Sequence, residues 1–394
     1  MKKILIIGAG FLQGFVIKKA KELGYITLAV DANPNAIGFK YADRYAVINI
    51  TDAKACLEYA VKENINGVMT AATDYGVLTA SYIANKMGLV GLDYEVAKLI
   101  KNKYLTRKCL YENNVDDTEQ AYEIDENSNI EYLKTIIKYP VMVKPCDGSG
   151  SRGANRVDNP EQLLSACNNA IASSLSKKAE IETFVFGAEY GAESLVVNGE
   201  SYVLSVMKKW MTPPPFYAEL GHAIPTDLDP RIEFKAKECV KKAITALGIN
   251  NGSVNMDMII TQTGSVHIID IGARMGGNMI GPCIIPYGTG IDYMSNVIRH
   301  AVGDAVDFRS YFNTAVATRL LAFNEGIVKV LPDFNELEKE YSVEIYHNLF
   351  VGKKVNKYHT NLDGCGYIVA RAAAVEEAVS NAEKVLQIIS NTIF

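Results

Sequence analysis

The first 31 residues constrain the fold more than any other part of the chain. The apolar run KILII ends at Gly8-Ala9-Gly10 and passes directly into FLQGFVIKKAKEL, in which Phe11, Leu12, Phe15, Val16, Ala20 and Leu23 share one helical face. Gly24 stops that helix, and a second apolar strand over 26–31 closes on Asp31. A strand, glycine turn, helix and strand in this order form a parallel βαβ unit. An expected helix at 53–63, strand at 65–70 and helix at 76–87 extend it into a parallel α/β sheet. An amphipathic segment at 94–112 then leads out of it.

The same turn raises a dinucleotide reading. The fingerprint for such a site is Gly-x-Gly-x-x-Gly, its third glycine letting the helix pack closely on the strand. Here Gln13 holds that third position and Gly14 arrives one residue late, while Asp31 falls where an acid meets a ribose. An NAD-dependent oxidoreductase is therefore one reading, and nothing beyond residue 31 adds to it.

Bulk properties exclude other classes. At 394 residues the chain holds two or three domains. A net charge of −5 leaves no broad basic field, so no nucleic-acid partner is expected. Seven dispersed cysteines without a CxxC pair read as reduced thiols in a cytoplasmic protein. The run after MKK is too short for a signal peptide, and no stretch approaches the roughly 18 apolar residues of a spanning helix, so no membrane partner is expected.

The texture changes near residue 139. YPVMVKP is a short strand ending in DGSGSRG, and strand-like runs follow at 179–186, 190–197 and 201–208. Residues 211–229, with four of the twelve prolines, read as an ordered loop. A helix at 231–247 precedes strands at 253–261 and 264–271, joined at Thr263-Gly264. Short strands and a closing helix, VEEAVSNAEKVLQIIS, follow from about 310. The chain thus combines α/β and α+β architecture.

Three stretches carry chemistry. In VKPCDGSGSRG, Lys144 ends a strand and glycines follow, so backbone N–H groups and an ammonium are available to phosphate oxygens. A flexible hairpin tip is the plainer reading of that loop. In VNMDMIITQTGSVHIIDIGARMGGN, Asp257 and Asp270 lie on adjacent strands of a tight hairpin. Two carboxylates side by side call for a cation, and oxygen donors suit Mg²⁺; Arg274 is placed to reach a phosphate held there. In EIETFVFGAEYGAES, Glu182 and Glu189 flank an apolar link suited to an adenine edge and a ribose.

Together these stretches resemble the ATP-grasp superfamily over nearly the whole chain. The resemblance implies an ATP-grasp fold over 107–308, a Rossmann-like pre-ATP-grasp domain over 1–106 and a small C-terminal α+β domain over 309–394. Carried over by position, Lys103 and Lys144 look like the two ATP lysines, and Ser149, Gly150 and Ser151 belong to the loop that closes over the phosphates. Glu182, Thr183, Phe184 and Val185 match the adenine hinge, Glu189 the ribose-binding acid, and Asp257 and Asp270 the metal ligands. ATP and Mg²⁺, with Mn²⁺ as an alternative ion, are the implied cofactors. Gly272 departs from the pattern, because the superfamily usually has Asn there, and aspartates stand where glutamate is common.

PPPFYAELGHAIP resembles the substrate loop of L-amino-acid ligases, in which a Glu-x-x-His pair, here Glu219 and His222, lies near the acyl substrate. NEGIVKV, VGKKV and CGYIVARAAAVEEAVSNAEK resemble the end of the same group. The implied activity is ADP-forming carboxylate–amine ligation through an acyl phosphate, on small-molecule carboxylate and amine substrates such as amino acids or small peptides. Arg274, Glu219 and His222 are the expected catalytic residues, and a homodimer is the expected assembly. A carbamoyl-phosphate-synthase-like or purine-pathway ATP-grasp enzyme and a catalytically silent ATP-binding protein are the alternatives.

Overall fold

A computed structural model describes residues 1–116, 121–148, 150, 152–214 and 216–394. Strands β1 (Lys3–Ile7), β2 (Ile26–Asp31), β3 (Arg44–Val47) and β4 (Gly67–Thr70) form a parallel sheet in the order β3-β2-β1-β4. The first turn is held from within. Gly8 takes φ +103°, and the Asp31 carboxylate accepts from the N–H groups of Ala9 and Asn33, each at 2.9 Å. Gln13 turns its side chain back under the glycines and donates to the Ala71 carbonyl at 2.5 Å. The acid that a dinucleotide ribose would need is therefore spent on its own turn.

The segment expected as one amphipathic stretch over 94–112 is two helices, Tyr94–Lys101 and Lys103–Glu112. Asn102 between them is extended, and its side chain accepts from the Leu105 N–H, so it ends one helix and caps the next.

A small antiparallel sheet follows: β5 (Tyr122–Ile124), β6 (Val141–Pro145), β7 (Asn155–Val157) and β8 (Ala179–Thr183), in the order β5-β8-β6-β7. Helix Pro160–Ser173 covers it, sealing Leu163, Cys167 and Ala170 against Val143 and Ile181.

The large sheet begins with β9 (Ala188–Val197), β10 (Glu200–Met211), β11 (Glu219–Ile224), β12 (Gly252–Ile260) and β13 (Val266–Gly272). Beyond these lie β14 (Ala315–Leu320), β15 (Gly326–Ile327), β16 (Val343–His347), β17 (Lys354–Val355) and β18 (Gly366–Ala372). Eight of them make one sheet in the order β13-β12-β9-β10-β11-β14-β18-β16, with β15 and β17 paired separately. The C-terminal strands thus extend the same sheet that carries the β12–β13 hairpin.

Strand β11 corrects the reading of 211–229 as a loop throughout. Ala218, Gly221 and Ala223 are small enough for close packing, and β11 pairs antiparallel with both β10 and β14. Prolines on both sides of ELGHAI mask its strand character in the sequence.

One apolar core joins the first sheet to the rest. Ile4, Ile6, Val16 and Ile17 pack in the same buried cluster as Met275, Met279, Ile284 and Ile298. That continuity holds the two walls of the cleft described below in a defined relation. No helix among the described residues is long and apolar enough to cross a membrane.

Candidate active site

A cleft of about 1090 Å³ runs between the small sheet, the large sheet and the first domain. Its floor is the β12–β13 hairpin. Along β12 burial alternates, so Met256, Met258 and Ile260 face the core while Asn255, Asp257 and Ile259 face the cleft. The register sets Asp257 opposite Asp270 and Asn255 opposite Gly272. The paired carboxylates read from the sequence are therefore cross-strand neighbours on one surface.

Lysines approach them from two directions. Lys103, at the first turn of its helix, donates to the Asp270 carboxylate. Lys144, on β6, donates to the Ile269 carbonyl at 2.9 Å and pairs with Glu182 at 2.6 Å. Burial would lower the Lys144 ammonium, but Glu182 and Glu180 outweigh it and raise it. Burial likewise opposes the charge on Asp270, which Lys103 and Lys144 nonetheless hold below its ordinary range.

Glu182 is gripped from its other side by Arg107, which sequence reasoning missed. Arg107 follows Lys103 by four residues on the same helix, the spacing that puts two side chains on one face. Its guanidinium donates to Glu182 at 3.1 Å, to Asp116 at 3.0 Å and to the Ile268 carbonyl. Burial would raise Glu182, yet Lys144 and Arg107 together lower it.

Glu180, two residues earlier on β8, is fully buried and neither of its oxygens has a hydrogen-bond partner. Burial, with Glu182 adding repulsion, lifts its carboxyl to about 7 from about 4.5 in the unfolded chain. Below pH 4.5 both states hold the proton and Glu180 costs nothing. Between 4.5 and 7 the unfolded chain releases the proton first, so native stability falls as pH rises. Glu180→Gln removes that loss. Thermal melts at pH 4.5 and pH 8 are expected to show little gain over the parent at the lower pH and about 3 kcal/mol at the higher. Parallel melting profiles would refute this.

A second cation missed in the sequence sits deeper. The Lys209 ammonium lies 2.8 Å from Glu189, 2.8 Å from Glu219 and 2.7 Å from Asp257. Burial opposes its charge, but the three carboxylates hold it well above the ordinary lysine range. Burial in turn lifts Asp257 to about 7, with Glu219 and Glu189 adding to the effect against Lys209. The strand expected over 201–208 stops one residue short of Lys209, and its partners come from three other strands, β9, β11 and β12.

Arg274 and Gly272 explain each other. Asp74, from the turn after β4, lies 2.9 Å from the Arg274 Nε and accepts from its Nη2 at 3.3 Å. Burial would lower the Arg274 guanidinium, but Asp74 keeps it firmly charged. A Cβ added at Gly272 would stand 2.9 Å from the Asp74 Oδ1 and 3.0 Å from the Arg274 Cζ. A side chain at 272 would therefore have to displace the Asp74–Arg274 ion pair. Gly272→Asn is accordingly expected to slow ADP release roughly 10-fold by dislodging Arg274. Faster turnover in that variant would show that the position simply lacks a ligand.

The hinge and loop also meet at the cleft. Thr183, Phe184, Val185 and Gly150 line it with Glu182 and Glu189. The Phe184 N–H is spent on the Pro140 carbonyl at 3.1 Å. The Phe184 and Phe186 rings meet edge to face, and the Arg156 guanidinium lies over both at 4.6 and 5.2 Å. Ser149 and Ser151 fall outside the described residues. From the same loop Arg152 donates to the Tyr75 hydroxyl of the first domain at 2.5 Å.

Glu219 lines the cleft from β11, with its carboxylate shared among Lys209, Asn278 and Asn361 (2.9 Å). Burial opposes its charge, but Lys209 holds it far below the usual carboxylate range. His222 is fully buried behind it, Nε2 3.8 Å from Glu219 and Nδ1 unpartnered. Burial drives its pKa down to about 4, so the imidazole is neutral. Glu219 and His222 thus stand on a strand and not on a loop, and only Glu219 reaches the cleft wall. Glu193 was also missed: it is buried on β9 and accepts from the Tyr293 hydroxyl (2.5 Å), Gly276 N–H (3.0 Å) and Asn255 amide (2.9 Å). It fixes the turn that follows Arg274.

Donor chemistry decides whether these residues suit Mg²⁺. Asp257 and Asp270 offer hard oxygens from two facing strands, and among the described residues no larger acidic, histidine or cysteine cluster is arranged for a metal. Mg²⁺ commonly binds through one or two carboxylates and takes its other positions from phosphates and water, so the pair fits.

Comparison with known proteins agrees with this geometry. Residues 137–282 match the ATP-grasp domain family. The chain is 24% identical to the formate-dependent phosphoribosylglycinamide formyltransferase of Sulfurisphaera tokodaii, over 98% of this chain and 96% of that one. Its fold superposes on the L-amino acid ligase of Bacillus licheniformis with a TM-score of 0.85 at 22% identity, covering 99% and 98% of the two chains. It also superposes on phosphoribosylglycinamide synthetase from Anaerococcus prevotii with a TM-score of 0.78 at 25% identity, covering 100% and 98%. The acids, lysines and hinge are thus gathered in one cleft of a chain that carries an ATP-grasp domain over residues 137–282 and shares the fold of these ATP-grasp relatives along its length.

Proposed function

We propose that this protein is an ATP-dependent carboxylate–amine ligase that releases ADP and phosphate. The observation that carries the reading is the facing pair Asp257 and Asp270, ringed by Lys103, Lys144 and Arg274 in a cleft that continues past Glu219. A carboxylate is a poor electrophile, so amide formation needs it activated. The substrate carboxylate attacks the γ-phosphorus of ATP, ADP departs, and an acyl phosphate results. The amine, having given up its ammonium proton, attacks the acyl carbon and phosphate leaves.

Phosphoryl transfer depends chiefly on positioning and on neutralising charge. Asp257 and Asp270 would hold Mg²⁺, which would supply part of that neutralisation. Lys103 and Lys144 grip the phosphates from the helix and from β6. Arg274, braced by Asp74, faces the transferred group. Glu219, anchored by Lys209, Asn278 and Asn361, presents a fixed negative charge toward the amine, with neutral His222 behind it. The glycine-rich loop, joined to the first domain through Arg152 and Tyr75, shields the acyl phosphate from water.

Amino acids or small peptides are favoured over ribonucleotides as substrates. Phe11, Leu12, Gln13, Tyr346, Asn348 and Tyr367 line the cleft together with Glu219, and none of the six carries a charge. The likeness to the L-amino acid ligase, which is one of fold, is compatible with this. The test is ADP release from Mg²⁺-ATP with pairs of amino acids: turnover needs both partners. Formation of AMP and pyrophosphate overturns the reading.

A further inference from the structure

A chain of polar groups converges behind Arg274. Glu193 on β9 and Tyr293 at the head of helix Tyr293–Ala301 are fully buried, and Asn255 on β12 connects them to the cleft wall. The two Glu193 oxygens divide the work. Oε1 accepts from the Tyr293 hydroxyl at 2.5 Å and from the Gly276 N–H at 3.0 Å, while Oε2 accepts from the Asn255 amide at 2.9 Å. Asn255 thereby turns its carbonyl oxygen toward the cleft, where the Arg274 Nη1 donates to it at 3.4 Å.

An ionised carboxylate can only accept, so Glu193 decides which end of the Asn255 carboxamide meets Arg274. With that amide turned over, its carbonyl would face the carboxylate and its NH2 would face the guanidinium, and both contacts would repel. Asp74 takes the Nε and Nη2 side of the same guanidinium, so Asn255 fixes the side that Asp74 leaves open. The turn after β13 closes directly on the pair. A Cβ at Gly276 would stand 2.8 Å from the Glu193 Oε2 and 3.1 Å from the Asn255 Nδ2. Arg274 and the turn that carries it are therefore both tied to Glu193, the turn through its own N–H and the guanidinium through Asn255.

We infer that Glu193 is a positioning residue for phosphoryl transfer: it sets the Asn255 carboxamide so that its oxygen aims the Arg274 guanidinium. Glu193 is not among the described residues that line the cleft, and it touches neither nucleotide nor substrate. The inference rests on the ligase reading above, which gives Arg274 the transferred group. A misaimed cation stabilises the charge of the transition state less well, whereas Lys103 and Lys144 still face the phosphates. The cost of losing Glu193 thus falls on turnover and spares nucleotide affinity.

The test exchanges acid and amide between the two positions. The parent, Glu193→Gln and the double variant Glu193→Gln/Asn255→Asp are compared in ADP release from Mg²⁺-ATP with amino-acid pairs, in calorimetric binding of ADP with Mg²⁺, and in Tm. Assays run at pH 8, above the value of about 7 to which burial lifts the Glu193 carboxyl. The Gly276 N–H can only donate, so in Glu193→Gln the new amide nitrogen takes the place facing Asn255. Asn255 turns over to accept from it and presents an N–H to Arg274. A fall in kcat of about 10-fold is expected, with ADP affinity and Tm no lower than the parent's. In the double variant the carboxylate at 255 accepts from the new amide and from Arg274 together, and kcat is expected to return to within about 3-fold of the parent. A parent-like kcat in Glu193→Gln, losses of affinity and Tm that parallel the loss of kcat, or a double variant no faster than the single one overturns the positioning role and leaves the ligase standing. AMP and pyrophosphate as the parent's products overturn the ligase reading, and this role for Glu193 with it.

Discussion

Replacing Lys209 with methionine is expected to lower the rate of ADP formation by at least about 100-fold and to destabilise the fold by about 3–5 kcal/mol. The ammonium is enclosed by Glu189, Glu219 and Asp257 at 2.7–2.8 Å. Methionine fills the same volume and brings no charge, so three carboxylates are left facing one another out of water. Removing one partner of a buried ion pair costs far more than exchanging the whole set for apolar groups. The loss is expected to be largest at alkaline pH, where Asp257, already lifted to about 7, is ionised. Adding Asp257→Asn to the methionine variant should restore part of the stability and none of the activity, since it relieves repulsion and deletes a proposed metal ligand. Thermal melts and single-turnover ADP release on the three proteins measure both effects. A methionine variant as stable and active as the parent would show that the Lys209 cluster is dispensable.

Arg107→Leu carries the second largest expected effect. The guanidinium serves Glu182, Asp116 and the Ile268 carbonyl at once, tying the helix after Asn102 to both the small sheet and β13. Leucine leaves Asp116 without this partner and Glu182 with Lys144 alone, for an expected loss of about 3–5 kcal/mol. Arg107→Lys is expected to recover little, because a compact ammonium cannot reproduce three contacts made in different directions by a planar fork. Nucleotide affinity should fall in both variants, since Glu182 and Lys144 lose the support that aims them at the cleft. Calorimetric titration with ADP and Mg²⁺, beside urea unfolding, separates binding from stability. Affinity and stability equal to the parent's in Arg107→Lys would mean that charge alone suffices at this position.

Local signals in the chain carried much of the fold. The glycine turn after KILII, the helix over 11–23 and the hairpin turn at Thr263-Gly264 each depend on neighbours within a few residues. The hairpin had particular value, because two strands joined by a tight turn must set their acids side by side, and Asp257 does face Asp270. Strand β11 was hidden for the opposite reason. Its pairing partners are β10 and β14, the second nearly a hundred residues away, and the flanking prolines are the stronger local signal.

The remainder of the candidate site was illegible for the same physical cause. Asp74 reaches Arg274 across 200 residues of sequence, and Glu193 reaches the Tyr293 hydroxyl across 100. Lys209 looks like one more strand lysine until three separate strands deliver a carboxylate to it. Gly272 read as a missing ligand because its neighbour in space, the carboxylate of Asp74, lies nearly 200 residues earlier in the chain.

By itself the sequence determined which residue types are available and how each short segment is built: alternating apolar strands, a glycine turn, two acids on one hairpin, and lysines at strand and helix ends. Only the tertiary structure decided which charges neutralise which. It turned the opening Gly8-x-Gly10 turn into a wall held by Asp31 and Gln13, buried His222 behind Glu219, and set Lys209 among three acids. Helices and hairpins follow from contacts between near neighbours. Ion pairing in a buried cleft follows from which distant side chains lose their water together, and a linear pattern does not encode that directly.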